Sequence, residues 1–149
     1  RIGGRRGIAA RAFAGPLLPT PQEQAEKMRK LLGTNDVILL ALLNVREEVK
    51  FRTGTFKSQN VAILNTWALR PAQLTSEKSR EQYARRILKE SMNSIGALLG
   101  LEPCPNPTCA MWEWRTEEEF DAKGCNYCPP CEIRVRKALS DLGLFLPEK

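Results

Sequence analysis

The stretch GLEPCPNPTCAMWEW, residues 100–114, and the shorter GCNYCPPC, residues 124–131, decide the second half of the fold. All five cysteines of the 149-residue chain lie in these two pieces, and the chain contains no histidine. Prolines stiffen both pieces, at Pro103, Pro105, Pro107, Pro129 and Pro130. A site built here must therefore use thiols without imidazole.

The spacing of the cysteines favours a metal. Four residues separate Cys104 from Cys109, two separate Cys128 from Cys131, and eighteen lie between the pairs, which suits a closed tetrahedral zinc site. Two disulfides are the alternative and require an oxidising compartment, and unligated core thiols are a third. Cys125 also stands two residues from Cys128 and could replace a ligand. We favour the other four, because CPPC opens directly onto a helix.

Upstream of the cysteines, the segment TPQEQAEKMRKLLG predicts a helix. Thr20 suits the N-cap, Pro21 the first helical position and Glu23 the third, which is the pattern of a capping box. Gly33 is expected to end this helix.

Three strands are expected next. The unbroken apolar run VILLALLNV, residues 37–45, predicts a buried strand, although its leucines leave a helix possible. Residues 49–56 and 60–69 predict two short strands around a turn near Ser58, and Pro71 ends the second.

A long helix over residues 76–99 follows, capped by Thr75 or Ser76 and stopped by Gly100. Its expected buried face has residues three or four apart: Ala84, Ile87, Ser91, Ile95 and Leu98. A last amphipathic helix contains or follows Cys131. The order of elements predicts an α+β domain over residues 21–149.

The N-terminal residues 1–20 differ from the rest. They contain no acidic residue and four arginines, which supply +4 of the formal charge of +6: Arg1, Arg5, Arg6 and Arg11. This composition is typical of a mitochondrial or plastid transit-peptide remnant, with a disordered basic tail as the alternative. The longest apolar run, residues 37–45, is too short to cross a bilayer as a helix, so no transmembrane segment is predicted.

The segment RILKESMNSIGALLGLEPCPNPTCAM, residues 86–111, followed by YCPPC, resembles the archaemetzincins, zinc-dependent peptidases of the metzincin clan. Their signature is H-E-x-x-H-x-x-G-x-x-H-C-x4-C-x-M with a later C-x2-C. The positions that match are Gly100, Cys104, Cys109, Met111, Cys128 and Cys131. The resemblance implies a metzincin-like mixed sheet, an active-site-type long helix, a four-cysteine zinc loop and a C-terminal helix.

The catalytic half of that signature is absent. Its first histidine falls on Asn93, its general-base glutamate on Ser94, and its other histidines on Ala97 and Pro103. None of these side chains replaces its counterpart, so the sequence predicts a pseudoenzyme with no catalytic residue. Met111 is expected to remain as core packing.

Nearby carboxylates do not rescue the catalytic site. We expect Glu90 and Glu102 to be ordinary surface charges rather than ligands of an improvised metal site. A peptidase would then need histidines supplied by a partner chain.

The expected function is therefore that of a zinc-stabilised accessory subunit in a large mitochondrial assembly on the matrix side, foremost the ribosome. There the N-terminal arginines would contact rRNA phosphate. The alternative is a respiratory-chain complex or ATP synthase, with the same arginines on neighbouring subunits or anionic lipid. A zinc-ribbon that binds nucleic acid fits less well, because WEWRTEEEFD, residues 112–121, places acidic residues beside the zinc loop.

Overall fold

The computed structural model describes residues 18, 20–33, 37–46 and 52–144, and helices cover a small sheet within them. The helices are α1 (Pro21–Arg29), α2 (Glu77–Leu98), α3 (Glu117–Ala122) and α4 (Pro129–Asp141). The strands are β1 (Leu39–Leu43), β2 (Thr53–Phe56) and β3 (Val61–Asn65), and short 3-10 turns occupy Lys57–Gln59 and Thr66–Leu69.

The sheet has the order β1-β3-β2, with β3 parallel to β1 and antiparallel to β2. This confirms the α+β class with a mixed sheet. Every residue of the central β3 is buried. The run at residues 37–45 does form a strand, but its expected complete burial is wrong. Because β1 is an edge strand of the described sheet, Leu42 stays 54% exposed.

The two faces of the sheet are covered by different helices. Val61 and Ile63 point to one face, where they pack with Met28 of α1. Leu64 points to the other face and packs with Phe120 of α3 and with residues of α2. This alternation is the period of two that a strand buried on both faces requires.

Both predicted helix starts are confirmed. The Thr20 hydroxyl accepts the Glu23 backbone N–H, and the Glu23 carboxylate accepts the Thr20 backbone N–H, each at 3.2 Å. Ser76 caps α2 with a second reciprocal pair. The prediction that Gly33 ends α1 is wrong. The helix ends at Arg29, because the next amides bond to carbonyls three residues back and tighten the chain before the glycine is reached.

The strands on either side of the turn are shorter than predicted. The 3-10 turn near Ser58 and the left-handed Asn60 confirm the reversal. β2 begins only at Thr53, and residues 47–51 lie outside the described ranges. β3 ends at Asn65, because its side-chain oxygen accepts the Trp67 backbone N–H and caps a 3-10 turn.

The predicted buried face of α2 is wrong. Ala84 is exposed, and the other four expected core residues are only half-buried. The helix instead buries a largely polar set: Arg86, Lys89, Glu90, Ser94 and Gly96. Long polar side chains can be buried in this way when their stems pack and their charged ends find partners.

Arg86 connects α2 to α3. Its Nε and Nη2 atoms donate to the two carboxylate oxygens of Asp121, each at 2.7 Å, and Nη1 donates to the Leu69 carbonyl at 3.4 Å. The Arg86 side chain is 5% exposed. The hydrogen bonds from Arg86 lower the pKa of Asp121, although burial opposes the shift. This bidentate pair holds α3 against the long helix.

Lys89 and Glu90 extend this attachment. The Lys89 ammonium donates to the carbonyl oxygens of Phe120 and Asp121 at the end of α3, at 3.0 and 2.6 Å. Glu90 accepts the Trp114 indole N–H at 3.0 Å and is 6% exposed. The expectation that Glu90 is a surface charge is therefore wrong, whereas Glu102 is exposed as expected.

The predicted tail lies almost wholly outside the described residues, which include only Leu18 and Thr20 of it. The four N-terminal arginines and the division into residues 1–20 and 21–149 therefore stay predictions. Across the described ranges, no helix has both the length and the apolar character needed to cross a membrane.

We predict that Asp121→Asn lowers the free energy of unfolding by about 1–3 kcal/mol at pH 7, because Arg86 loses the nearer of its two charged acceptors and keeps only the exposed Glu117 at 3.4 Å. The native pKa of Asp121 lies below its unfolded value, so its ionic contribution is complete above the unfolded pKa of about 3.9 and is lost as the pH falls through the native pKa. Urea unfolding of both proteins between pH 7 and pH 3 measures this. Asp141→Asn breaks the exposed Lys137–Asp141 pair and is the control. Equal losses from both variants would contradict the assignment.

Candidate metal centre

Four cysteine sulfurs meet between the end of α2 and the start of α4. The Sγ atoms of Cys104, Cys109, Cys128 and Cys131 all lie within 4.8 Å of one another, and those of Cys104 and Cys128 are 3.7 Å apart. Because zinc–sulfur bonds are about 2.3 Å long, tetrahedral ligands lie about 3.8 Å from each other. The grouping therefore has the dimensions of a closed four-cysteine zinc site.

The same distances exclude the disulfide alternative for this conformation. All five cysteines are free, and a disulfide requires sulfurs about 2.05 Å apart. Within the described part of the chain, this is the one group of three or more possible ligands close enough to hold a metal. Cys125 is half-buried and is not a member of the group.

The end of α2 directs the chain into the first pair of cysteines. Gly100 has φ of +87°, which a glycine adopts without strain. Its N–H donates to the Ala97 carbonyl, and the Leu101 N–H donates to the Gly96 carbonyl, which together form a Schellman motif. Gly100 therefore stops the helix as predicted. Cys104 is then fixed by its N–H, which donates to the Met111 carbonyl at 2.9 Å.

The second pair is placed by the start of α4 and by contact between the two cysteine segments. Cys128 is the N-cap of α4, and Cys131 lies in its first turn. The Ala110 N–H donates to the Asn126 carbonyl at 2.8 Å. The backbone of Gly124 lies so close to Thr108 that a side-chain carbon there would overlap the Thr108 carbonyl. Local turns and this close approach bring the two pairs together.

Backbone amides are aimed at the sulfurs. The N–H groups of Met111 and Cys128 both donate to Cys109 Sγ at 3.4 Å. The Cys131 backbone N–H is the main reason that the pKa of Cys128 falls to about 7, while burial raises the pKa of Cys104 and of Cys131. Amide donors stabilise thiolates, and a bound cation would deprotonate the remaining thiols. The centre therefore suits a divalent metal that binds sulfur.

A buried lysine beside this centre was not found by sequence reasoning. Lys123 is 3% exposed, and burial lowers its pKa, while the charges of Glu90 and Cys109 oppose that shift. The neighbouring Gly124 contact brings this segment to the Cys109 turn. The sequence pattern gives no signal for it, because Lys123 follows a largely acidic stretch in which a lysine is expected to be exposed.

The residues at the catalytic positions of the metzincin signature do not form a second ligand group. Asn93 donates its side-chain N–H to the Ala110 carbonyl at 3.1 Å, and Ser94 is 2% exposed. Ala97 has no ligand atom, and Pro103 is exposed. These four side chains do not fit a zinc bound by three histidines.

Two large side chains cover the same part of α2. Met111 is buried, as expected for a packing residue, and its sulfur lies so close to Gly96 that a side-chain carbon at this position would force it to move. The Tyr127 hydroxyl donates to the Met92 carbonyl at 2.6 Å, and burial raises its pKa to about 12. This surface of α2 is therefore packed against the cysteine segments.

Comparison with known proteins gives a consistent family. Peptidase family M54 matches residues 22–137. The archaemetzincin of Thermococcus kodakarensis is 34% identical over 134 residues, covering 90% of this chain and 69% of that protein. The archaemetzincin of Pyrococcus abyssi is 35% identical over 80 residues, covering 54% of this chain and 43% of that protein. The chain thus spans less than half of one relative and about two thirds of the other.

Solved structures of similar proteins support the same family. A zinc-dependent peptidase from Methanocorpusculum labreanum superposes with a TM-score of 0.55 at 25% identity, covering 66% of this chain and 53% of that one. Archaemetzincin from Methanopyrus kandleri superposes with a TM-score of 0.64 at 21% identity, covering 80% and 64%, and shows the shared fold. The resemblance drawn from the cysteine motif is confirmed.

These matches contradict the prediction that the chain is not an enzyme. The matching family is one of peptidases, and the similar Methanocorpusculum labreanum structure is a zinc-dependent peptidase. The pseudoenzyme interpretation inferred too much from four positions, Asn93, Ser94, Ala97 and Pro103, and it is corrected here to a member of a peptidase family.

We predict that Cys128→Ser removes one equivalent of bound zinc and lowers the melting temperature by about 10 °C or more, because a structural zinc site contributes several kcal/mol to folding. Cys125→Ser is the matched control and should keep the zinc and melt within about 2 °C of the unaltered protein. Elemental analysis and thermal melting of the two variants measure this. Equal loss of zinc and of thermal stability in both variants would show that the ligands are wrongly assigned. If the unaltered protein contained no zinc, the assignment of a zinc site would be wrong.

Proposed function

Because the chain belongs to peptidase family M54, the archaemetzincins, we propose that it is the zinc-stabilised domain of a zinc-dependent peptidase. In this proposal Cys104, Cys109, Cys128 and Cys131 hold one structural zinc. The observation that carries it is the grouping of the four sulfurs within 4.8 Å, together with the amides aimed at Cys109.

The structural zinc would hold the end of α2 and the start of α4 together. One pair of ligands follows the end of α2, and the other pair begins α4. Between them lie fewer than twenty residues, whose regular structure is the six-residue α3. All four ligands are bound to protein in such a site, so its zinc has no open position for a substrate or for an activated water. Its role is to stabilise the fold.

Hydrolysis of peptide bonds is proposed for the whole protein from the family to which it belongs. A metzincin reaction uses a second zinc, which supplies a bound water of lowered pKa. The side chains at positions 93, 94, 97 and 103 do not fit that zinc, so the ligands of a catalytic metal would come from groups other than these four. What the described residues do provide is the rigid α2 and the packed cysteine segments on which such a site would be built.

The cellular setting is a proposal of its own. The predicted mitochondrial location, and the partnership with ribosomal or respiratory-chain subunits, are supported by the arginine-rich composition of residues 1–20. The neighbouring acidic α3 argues against a nucleic-acid surface at the zinc loop, since Glu117 and Glu118 are exposed there. A contact between the N-terminal arginines and rRNA would therefore leave the metal centre free.

We expect the zinc-loaded protein to cleave an unstructured polypeptide such as casein, and 1,10-phenanthroline to abolish the cleavage, because the family reaction depends on zinc. Gel electrophoresis over time measures it, with Cys125→Ser as an active control. Casein that stays intact in a preparation carrying its full structural zinc would contradict the peptidase proposal. That result would not contradict the proposed structural zinc, because the zinc content is measured separately.

A further inference from the structure

Three arginines lie at one edge of the sheet, the edge at which β1 and β3 end. β1 and β3 are parallel, so their carboxyl ends share an edge, and the antiparallel β2 begins at that same edge. Arg46 follows β1, Arg52 precedes β2, and Arg70 follows the turn after β3. The topology therefore gathers residues that are far apart in sequence.

A buried amide fixes the backbone at this edge. Asn65 is 1% exposed, and its side chain both accepts from the Val45 N–H and donates to the Val45 carbonyl, each at 3.2 Å. The same side-chain oxygen accepts the Trp67 N–H, and the Asn65 N–H donates to the Arg52 carbonyl at 2.8 Å. One residue thus positions the backbone that carries Arg46, Arg52 and Trp67.

The guanidinium groups stack on tryptophans. Arg46 and Arg70 lie 4.6 and 4.3 Å from the centroid of Trp67, and Arg52 lies 4.0 Å from the centroid of Trp114. Such contacts attract the cation to the face of the ring and hold the side chain in place. We call Arg46, Arg52 and Arg70, with these two rings, the arginine edge.

The N–H groups of the stacked guanidiniums remain available to donate hydrogen bonds to a ligand. Arg46 and Arg52 are exposed and Arg70 is half-buried, and among the described residues none of the three forms a side-chain hydrogen bond or ion pair. A guanidinium stacked on a ring still presents N–H groups in its plane, in the geometry that a carboxylate accepts in pairs. Three such groups held in place form a site for several carboxylates.

We propose that the arginine edge binds an acidic polypeptide segment, a run of Asp or Glu side chains in an extended chain. Single-stranded nucleic acid fits less well, because it needs free aromatic faces on which bases stack. Two guanidiniums occupy Trp67, and Trp114 carries Arg52 and also stacks on Phe120 with ring centroids 4.5 Å apart. This proposal is independent of the structural zinc and of peptide hydrolysis.

The test uses the full chain and a fluorescein-labelled 12-residue peptide of alternating Glu and Gly, with binding followed by fluorescence anisotropy at fixed salt. Changing Arg46, Arg52 and Arg70 together to Gln should raise the Kd at least about tenfold, since charge-assisted bidentate contacts are lost. The matched control changes the exposed Arg80, Arg85 and Arg134 to Gln, which alters the net charge equally and should raise the Kd less than about threefold. The N-terminal arginines are present in every variant.

A second variant separates position from charge. Trp67→Leu leaves every charge in place but removes the ring under two guanidiniums, and it should raise the Kd about threefold, whereas Trp112→Leu should not. Thermal melting confirms that each variant is folded at the assay temperature.

Three results would overturn the proposal: equal weakening by the two triple variants, equal binding of a peptide with Gln in place of Glu, or tighter binding of a 12-nucleotide oligouridine that the arginine edge variant abolishes. The first result would attribute the binding to net charge alone. The second would attribute it to an uncharged contact, and the third would identify nucleic acid as the ligand.

Discussion

Four sulfur atoms from two segments of the chain lie together between α2 and α4, and the C-terminal core is packed around them. Leu101, Met111 and Val135 are the apolar members of that core, and the other three buried members are cysteines of the group. A core of this size buries little apolar surface, so a metal bound by the four sulfurs would supply stability that packing does not, because such a site exists only in the folded state. The direction in which α4 leaves the fold depends on the same contact, because its N-cap and its first turn each carry one of the four cysteines.

Polar contacts from α2 fix the position of the acidic segment, just as the grouped sulfurs fix the position of the cysteine segments. Arg86, Lys89 and Glu90 are each at most 6% exposed, and they bind the Asp121 carboxylate, the end of α3 and the Trp114 indole. Buried charges of this kind add little stability over an apolar replacement but are costly to leave unpaired. They therefore determine where α3 lies, and the two anchors together order most of the chain after α2.

Local features of the fold were predictable from the sequence, and distant partners were not. Thr20, Ser76 and Gly100 act through hydrogen bonds within one turn, so their roles follow from neighbouring residues. The ligand group followed from cysteine spacing and from the family resemblance. The buried face of α2 did not, because the partners of Arg86 and Glu90 lie 17 or more residues away in sequence. Lys123 and the stacking of Arg46 and Arg52 were missed for the same reason, since Glu90, Trp67 and Trp114 are distant from them in sequence.

X-ray absorption at the zinc edge of the purified protein tests the central claim most directly. We expect zinc with four sulfur neighbours at about 2.3 Å, because the four grouped cysteines supply all the ligands of a tetrahedral site. The Cys125→Ser variant should give the same spectrum. A spectrum dominated by nitrogen or oxygen neighbours, or one that changes when Cys125 is replaced, would contradict a structural zinc held by Cys104, Cys109, Cys128 and Cys131.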